Sequence, residues 1–220
     1  MNPSIVTPAR HSRLRRAASA MLVLATAALV AACSTPAPTR FHSLLMPPTS
    51  VDTPPADPQA TQDAGPLLYE FTPISIPSQV DQPQFVVRNP DDTLYVLEQE
   101  RWIAPLADEL HSSLSERLGR RFKAQEARQQ FVGQRASQRL QIDVLRFESL
   151  PGREVRIEAS WSVRTLAETT IGVSCRSEIR QSVGPGYEAI AAGHRAALIL
   201  LADEIGPVMQ GLAKGQTTCR

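Results

Sequence analysis

The feature that most constrains the fold is an alternation of apolar and polar residues in two neighbouring stretches. From 155 to 163 every odd position is apolar and every even position is polar, and the pattern continues with two interruptions from 171 to 183. A period of two places the apolar side chains on one face of a strand. Because a short turn near 167–168 separates the stretches, they predict adjacent antiparallel, half-buried strands over 154–165 and 170–183.

Further strands and two helices complete a predicted domain body over 66–213. An apolar segment at 139–148 predicts the strand that precedes the pair and makes an antiparallel meander. Apolar stripes predict helices over 104–120 and 187–212, and the polar stretch 123–137 predicts a loop. Shorter strands are predicted over 40–46, 67–74, 85–88 and 93–97, the last two as a hairpin. This order indicates one α/β domain with a mixed, largely antiparallel sheet and two main helices.

The first 32 residues have the composition of an export signal. They carry four arginines, no lysine and no acidic residue, and an apolar run extends from Ala17 to Ala32. This run of 16 residues is shorter than the about 20 that a membrane-spanning helix needs, and its length is typical of the apolar core of a secretory signal. We therefore predict that residues 1–32 are a signal peptide.

The end of this run predicts a lipidation site. Val30, Ala31 and Ala32 precede Cys33, which is the cleavage pattern of a bacterial lipoprotein signal. Cleavage between Ala32 and Cys33 would leave Cys33 first in the mature chain, with a diacylglyceryl group and an N-acyl chain that anchor it stably. Ser34 rather than Asp follows, which favours the outer membrane over the inner one. A plain signal peptide, or an anchor helix with a chance cysteine, is the alternative.

Removal of the signal changes the charge of the protein. The whole chain has a formal net charge of +1, but without the signal it keeps 19 basic against 22 acidic residues, a net charge of −3. Aromatic residues make up only 5%. We therefore expect no nucleic-acid partner, because both a basic patch and a stacking platform are lacking.

A proline-rich tether follows the predicted lipid. Eight of the 18 prolines lie between Cys33 and Pro66. Such a composition buries too little apolar surface to fold and favours extended conformations. We interpret 33–65 as a tether that includes the edge strand 40–46. At about 3.1 Å per residue, its first part, 34–39, reaches roughly 20 Å.

Cys175 and Cys219 are the remaining cysteines of a chain that we expect in an oxidising compartment. The predicted strand runs about 27 Å from Cys175 to Val183, at about 3.3 Å per residue. At about 1.5 Å per residue the last helix returns to the level of Cys175 near residue 204. The tail 214–220 could then bring Cys219 to Cys175 as a disulfide. A buried thiol with a free tail thiol is the alternative.

Catalytic and metal-binding motifs are missing from the sequence. It contains no His-x-x-x-His, no Cys-x-x-Cys, no Gly-x-Ser-x-Gly and no phosphate loop. His194 lies on the apolar stripe of the last helix, where we expect a hydrogen-bonded core histidine. We predict no catalytic residue, no metal site and no cofactor besides the lipid on Cys33, and therefore no enzyme.

The best candidates for a partner surface lie between 84 and 102. Arg101 and Trp102 belong to residue types that are enriched at interface hot spots, and Gln84 and Arg88 precede them. The alternative interpretation is that Trp102 only fills the junction between the sheet and the first helix.

Several segments together resemble the PqiC/YmbA-type lipoproteins, also called ABC-type transport auxiliary lipoproteins. The resemblance covers nearly all of the mature chain, and its most specific part runs from Asp-x-Pro-Gln to Trp-x-x-Pro-Leu. Its segments are Cys33, RFHSL at 40–44, IP at 76–77, VDQPQFVVR at 80–88, ERW at 100–102, APL at 104–106, QIDVLRF at 141–147 and ASW at 159–161. Cys175 with Cys219 and the insert 47–65 depart from the family pattern.

The resemblance implies a three-layer α/β fold like those of anticodon-binding-like domains and the N-terminal domain of TolB. It implies a non-enzymatic lipoprotein subunit of an MCE-type or ABC-type intermembrane lipid transport system. Such a subunit would dock on the periplasmic component of the transporter from the periplasmic face of the outer membrane and support envelope integrity. A homo-oligomeric ring would suit docking on a symmetric tunnel.

Two other functions stay open at this point. A periplasmic lipid-binding carrier would need a deep apolar cavity in place of a close-packed core. A small hydrolase would need a polar cleft with perturbed ionisable groups.

Overall fold

Three long antiparallel strands form the centre of the fold, as the alternating sequence predicts. They are β6 (Gln138–Leu150), β7 (Glu154–Thr165) and β8 (Gly172–Ser182), and they pair in that order. The predicted meander is therefore confirmed. The computed structural model describes residues 37–46, 66–127, 137–167 and 169–219, so the predicted signal peptide, Cys33 and the segment 47–65 lie outside the described residues.

Two short parallel strands extend this sheet beyond β6. β2 (Leu67–Phe71) pairs with the start of β6, and β5 (Ala124–Glu126) pairs with β2, giving the order β5-β2-β6-β7-β8. The prediction of a loop over 123–137 is wrong for β5. A strand of three residues is too short to show a period of two.

A second, three-stranded sheet contains β1 (Arg40–His42), β3 (Gln84–Arg88) and β4 (Leu94–Trp102) in the order β1-β4-β3. β3 and β4 form the predicted antiparallel hairpin, and β1 is an edge strand parallel to β4. The predicted strand 40–46 is confirmed for its first three residues.

Both helices lie on the same face of the five-stranded sheet. α1 (Leu106–Phe122) follows Pro105, and α2 (Tyr187–Leu212) has the predicted bounds. The leucines of α1 at 106, 110, 114 and 118 are buried. In the part of the chain that the structure describes, neither helix combines the length and the apolar character that a membrane span requires.

The fold class is confirmed as mixed α/β with a largely antiparallel sheet, and one detail is corrected. The strands form two sheets, because β3 lies beside β6 without ladder pairing. Within the described ranges both helices lie on one face of the five-stranded sheet and no helix lies on the other. That face carries paired charges such as Arg176 with Glu158, which are stable in water.

A disulfide joins the C-terminal tail to β8. The sulfur atoms of Cys175 and Cys219 are bonded, and the two Cα atoms are 5.9 Å apart. The two cysteines are separated by 44 positions in the sequence. The structure thus adopts the bridged one of the two alternatives that the sequence leaves open. In the chain-entropy view, closing a loop of this size stabilises the fold by roughly 3–4 kcal/mol.

Helix α2 packs so closely that two of its positions require glycine. A Cβ atom on Gly193 would lie 2.3 Å from Val183 Cγ1 and 3.1 Å from Val155 Cγ2. A Cβ atom on Gly206 would lie 2.2 Å from the Phe122 ring of α1. The space between α2, the sheet and α1 is therefore filled by protein atoms.

We expect the substitution Gly193→Ala to destabilise the fold by about 1–3 kcal/mol, because the added methyl group overpacks against two β-branched side chains of the sheet. This loss should exceed the roughly 1 kcal/mol that alanine gains over glycine in a helix. Urea unfolding of both proteins measures the difference.

Gly211→Ala is the matched control in the same helix. There the new Cβ would meet chiefly the mobile end of the Gln216 side chain, at 2.8 Å. We expect no loss of stability for this variant. Equal unfolding midpoints for Gly193→Ala and the parent protein would contradict the close packing.

Candidate functional site

Exposed apolar side chains are concentrated on the three-stranded sheet. Nine large apolar side chains are exposed in the described residues, and six of them lie on β1, on β4 or immediately beside these strands. They are Phe41, Leu45, Leu94, Tyr95, Val96 and Ile103. Because single exposed apolar residues are ordinary but clusters mark contact sites, this sheet is the candidate functional site.

Three of the four predicted partner residues lie on the outward face of this sheet. Gln84 is directly opposite Arg101 in the β3–β4 ladder, and Phe41 of β1 is opposite Arg101 on the other side. Residues that pair in this way share a face. Arg88 belongs to the same face but lies at the hairpin end of β3.

The fourth predicted residue, Trp102, points into the core, which corrects its assignment as a partner-contacting side chain. Only 5% of Trp102 is exposed, and its ring lies 4.2 Å from Phe85 and 6.2 Å from His194, measured between ring centroids. Alternation explains the burial, because Trp102 follows the outward Arg101. The alternative interpretation, a ring that fills the junction with the helical layer, is therefore the one the structure supports.

Arg88 holds the hairpin in place. Its guanidinium donates to Asp92 Oδ1 at 2.8 Å and to Glu148 Oε1 of β6 at 3.0 Å. Glu148 is buried, so this ion pair fastens the hairpin to the larger sheet. Because both terminal nitrogens of its guanidinium are hydrogen-bonded, the Arg88 side chain fixes the position of the hairpin and adds little to the surface that a partner could contact.

The free end of the hairpin exposes three consecutive apolar residues. Leu94, Tyr95 and Val96 are 47%, 55% and 44% exposed. Neighbouring residues of a strand point to opposite faces, so consecutive exposure means that both faces of the hairpin end extend beyond the core. We name residues 94–96 the hairpin patch. Sequence reasoning missed it, because an apolar strand predicts burial.

The turn that carries the hairpin patch is rigid. Asp91 Oδ1 accepts hydrogen bonds from the Thr93 backbone N–H at 3.1 Å and from Thr93 Oγ1 at 2.6 Å. These hydrogen bonds lower the pKa of Asp91, which stays ionised. Asp92 adopts a left-handed conformation with φ of 71°, which aspartate tolerates in turns. A partner that binds here meets a preorganised surface.

At the other end of β4, the buried carboxylate of Glu100 binds β1. Arg40 Nε donates to Glu100 Oε1 at 2.8 Å, and His42 Nε2 lies 2.6 Å from Glu100 Oε2. Burial of a carboxylate is costly unless such partners surround it. The carboxylate therefore holds both inward-facing side chains of β1.

A second buried carboxylate holds the residues that follow β1. Glu109 of α1 accepts hydrogen bonds at Oε2 from Ser43 Oγ at 2.8 Å and from the Leu44 backbone N–H at 2.6 Å. Arg195 of α2 donates to the Ser43 carbonyl at 2.8 Å. These bonds take residues 43–44 out of the strand and seat Leu44 in the core.

Three exposed apolar residues surround this attachment point. Phe41 and Ile103 are each 59% exposed, and Leu45 is also exposed. The Ile103 backbone N–H donates to the His42 carbonyl at 2.9 Å, so Ile103 continues the ladder beside β1. We name Phe41, Leu45 and Ile103 the tether-end patch.

Two depressions on the described surface are open and mostly polar. One of about 380 Å³ lies between the hairpin and the β6–β7 turn, and four arginines and three acidic residues line most of it. Another, of about 530 Å³, lies at the end of α2 beside the tail. In the portion of the chain that is described, no group of three His, Cys, Asp or Glu side chains could hold a metal ion.

His194 lies in the core next to Trp102 of the three-stranded sheet. Its ring stacks on Phe147 with centroids 3.8 Å apart, and Nε2 lies 2.8 Å from Ser149 Oγ. The predicted role as a hydrogen-bonded core histidine is confirmed. Complete burial lowers the pKa of His194 to about 3, so the ring is neutral in the folded protein.

Comparison with known proteins gives one family match. The family model described as ABC-type transport auxiliary lipoprotein component matches residues 50–206. No curated protein matches the chain.

Two solved structures share the fold. A protein from Xanthomonas campestris of the family DUF330 superposes with a TM-score of 0.56 at 23% identity, covering 81% of this chain and 100% of that one. An uncharacterized protein superposes with a TM-score of 0.58 at 15% identity, covering 78% of this chain and 98% of that one. At these identities the likeness concerns the fold alone.

The buried neutral His194 predicts a pH-dependent stability. Its folded pKa lies below the value of about 6.5 in the unfolded chain, so the unfolded state binds a proton first as the pH falls. Between about pH 6.5 and pH 3 the parent protein should lose up to about 1.4 kcal/mol per pH unit relative to His194→Gln. Urea titrations across this range measure the slope.

His111→Gln serves as the control, because His111 is partly exposed beside Glu126. It shows how far the loss of a histidine outside the core changes the stability profile. Parallel profiles for the parent and His194→Gln would show that His194 isn't the group that titrates.

Proposed function

The chain belongs to the ABC-type transport auxiliary lipoprotein component family, and from that premise we propose that it is a docking subunit of an MCE-type or ABC-type intermembrane lipid transport system. The family resemblance predicted from the sequence is confirmed by the match over residues 50–206. The finer proposal is that the folded body, anchored in the membrane through a lipid on Cys33, binds the periplasmic component of the transporter.

The observation that carries the docking proposal is the hairpin patch. Three adjacent apolar side chains on a rigid turn leave apolar surface in contact with water, which costs free energy unless a partner covers it. Tyrosine is enriched at interface hot spots, and Arg88, which is opposite Leu94 in the β3–β4 ladder, supplies a charged group beside the patch. An apolar centre with polar groups around it is the usual composition of a protein–protein interface.

The proposed mechanism is positional. Acyl chains on Cys33 would hold the chain in the bilayer, and β1 attaches to the body through Glu100 and Glu109. β4 then leads away from that attachment to the hairpin patch. Its nine residues span roughly 26 Å at about 3.3 Å per residue, so the hairpin patch would face a partner away from the anchor.

The close packing of the body argues against the alternative of a lipid-binding carrier. Such a carrier needs an apolar cavity large enough for acyl chains. Between α2 and the sheet, side chains approach the helix so closely that Gly193 has no space for a methyl group. The two depressions at the hairpin and at the end of α2 are lined mainly by polar residues.

We propose the periplasmic face of the outer membrane as the location and no catalytic activity as part of the function. Ser34 after Cys33 supports the outer membrane, as the sequence indicates. The family is a transport component, and ion pairs such as Arg88 with Glu148 and Arg117 with Asp203 join separate elements of the fold.

We expect the triple variant Leu94→Ser, Tyr95→Ser, Val96→Ser to bind the periplasmic region of an MCE-domain subunit at least about tenfold more weakly than the parent. Loss of a few hot-spot contacts, each worth about 1.4 kcal/mol or more, gives this factor. Pull-down with purified mature protein, quantified by titration, measures the affinity.

Leu200→Ser is the matched control, because Leu200 is a similarly exposed apolar residue on α2. It should bind like the parent protein. Equal binding by the triple variant would remove the hairpin patch from the interface. Absence of binding by the parent, together with lipid that co-purifies with it, would instead support the carrier.

We expect Cys33→Ser to abolish acylation, because the thiol of Cys33 is the proposed attachment point. Growth with radiolabelled palmitate should label the parent protein and Cys219→Ser but leave Cys33→Ser unlabelled. Label on Cys33→Ser would place the lipid elsewhere.

A further inference from the structure

We infer that the tether-end patch, Phe41, Leu45 and Ile103, lies in the surface of the lipid bilayer. The patch is a second exposed apolar area, separate from the hairpin patch and located at the opposite end of β4. The inference rests on the proposed lipidation of Cys33, and it assigns a contact surface and an orientation to the folded body.

The first argument is the length of chain between the proposed lipid and the folded body. Six residues, 34–39, separate Cys33 from Arg40, the first residue of β1. Even fully extended, at about 3.3–3.6 Å per residue, they reach only roughly 20–22 Å. The end of the body that carries β1 is therefore held within roughly this distance of Cys33, which is about half of the 40–45 Å that a bilayer spans with its headgroups.

The second argument is the attachment of β1 to the body. Glu100 and Glu109 hold residues 40–44 through buried, charge-assisted hydrogen bonds. Strand β1 can't detach to lengthen the tether without uncovering two buried carboxylates. The short distance to the bilayer is thus a property of the folded state.

The third argument is the composition of the patch. Phe41 and Ile103 lie diagonally on neighbouring strands, on the outward face, and each exposes more than half of its surface. Leu45 follows where Leu44 is seated in the core. Burial of such side chains in the region between headgroups and acyl chains is favourable, as it is for interfacial apolar residues in general.

A bilayer is favoured here over a protein partner because of charge and position. Arg40 beside the patch is paired with Glu100 and Glu188, and Arg101, which is opposite Phe41, lies 3.9 Å from Glu98. The patch therefore relies on apolar contact more than on charge. Any protein partner at this end would have to fit between the body and a bilayer that the tether keeps close. The hairpin patch has no such restriction.

The test uses the full mature lipoprotein, acylated on Cys33 and reconstituted in phosphatidylcholine vesicles whose acyl chains are brominated near the headgroup. Bromine quenches tryptophan fluorescence at short range. Two variants, Phe41→Trp and Ile103→Trp, each place one exposed tryptophan in the tether-end patch. Leu94→Trp places it in the hairpin patch, at the far end of the same strand, as the matched control.

The parent protein supplies the background, because Trp102 and Trp161 are buried and present in every variant. We expect the emission added by Phe41→Trp and Ile103→Trp to be lost in brominated vesicles and kept in unbrominated ones. The emission added by Leu94→Trp should be the same in both.

The outcomes separate this inference from the proposed function. Protein that floats with the vesicles while neither patch variant is quenched overturns the membrane contact and leaves the lipid anchor intact. Quenching of Leu94→Trp to the same extent also overturns it, because the body then has no fixed orientation. Protein that fails to float shows that the anchor itself is missing, and both proposals fall together.

Discussion

The attachment of β1 by two buried carboxylates is the constraint on which the rest of the arrangement depends. Glu100 and Glu109 come from different elements, β4 and α1, and both accept hydrogen bonds from the segment 40–44. A carboxylate in the core is tolerated only when such donors surround it. The segment 40–44 therefore folds as one unit with the rest of the body.

Strand β4 determines where the hairpin patch lies relative to this attachment. At one end it carries Glu100 and Trp102, which face the core and are packed against β1 and His194. At the other end it leaves the core, and its apolar side chains face water on both sides. Arg88 and Asp91 fix that end through Glu148 and Thr93. Strand β4 thus runs from the end that is attached to β1 to the rigid, exposed end that carries the hairpin patch.

The sequence predicts the regular parts of this fold because they rest on local periodicity. β7 and α2 have their predicted bounds. β5 is not predicted, because a strand of three residues is too short to show a period. The division into two sheets is not predicted either, because whether β3 pairs with β6 depends on long-range contacts. Of the four partner candidates, Trp102 is buried, because side chains alternate between the two faces of β4 and its neighbour Arg101 faces outward. The hairpin patch was not predicted, because apolar residues in a strand predict burial until the sheet's neighbours are known.

The distribution of ion pairs over the sheet explains why the exposed apolar side chains at the two ends of β4 are informative about contact sites. The outward face of β7 and β8 is covered by pairs such as Arg176 with Glu158 and Arg180 with Glu178, which keep a broad open sheet face soluble. A chain that covers this sheet face with ion pairs has polar side chains available for exposed positions. In the described residues, six of the nine exposed large apolar side chains nevertheless lie at the two ends of β4 or beside them. This concentration supports the two proposals, that lipid covers one end and that a protein partner covers the other.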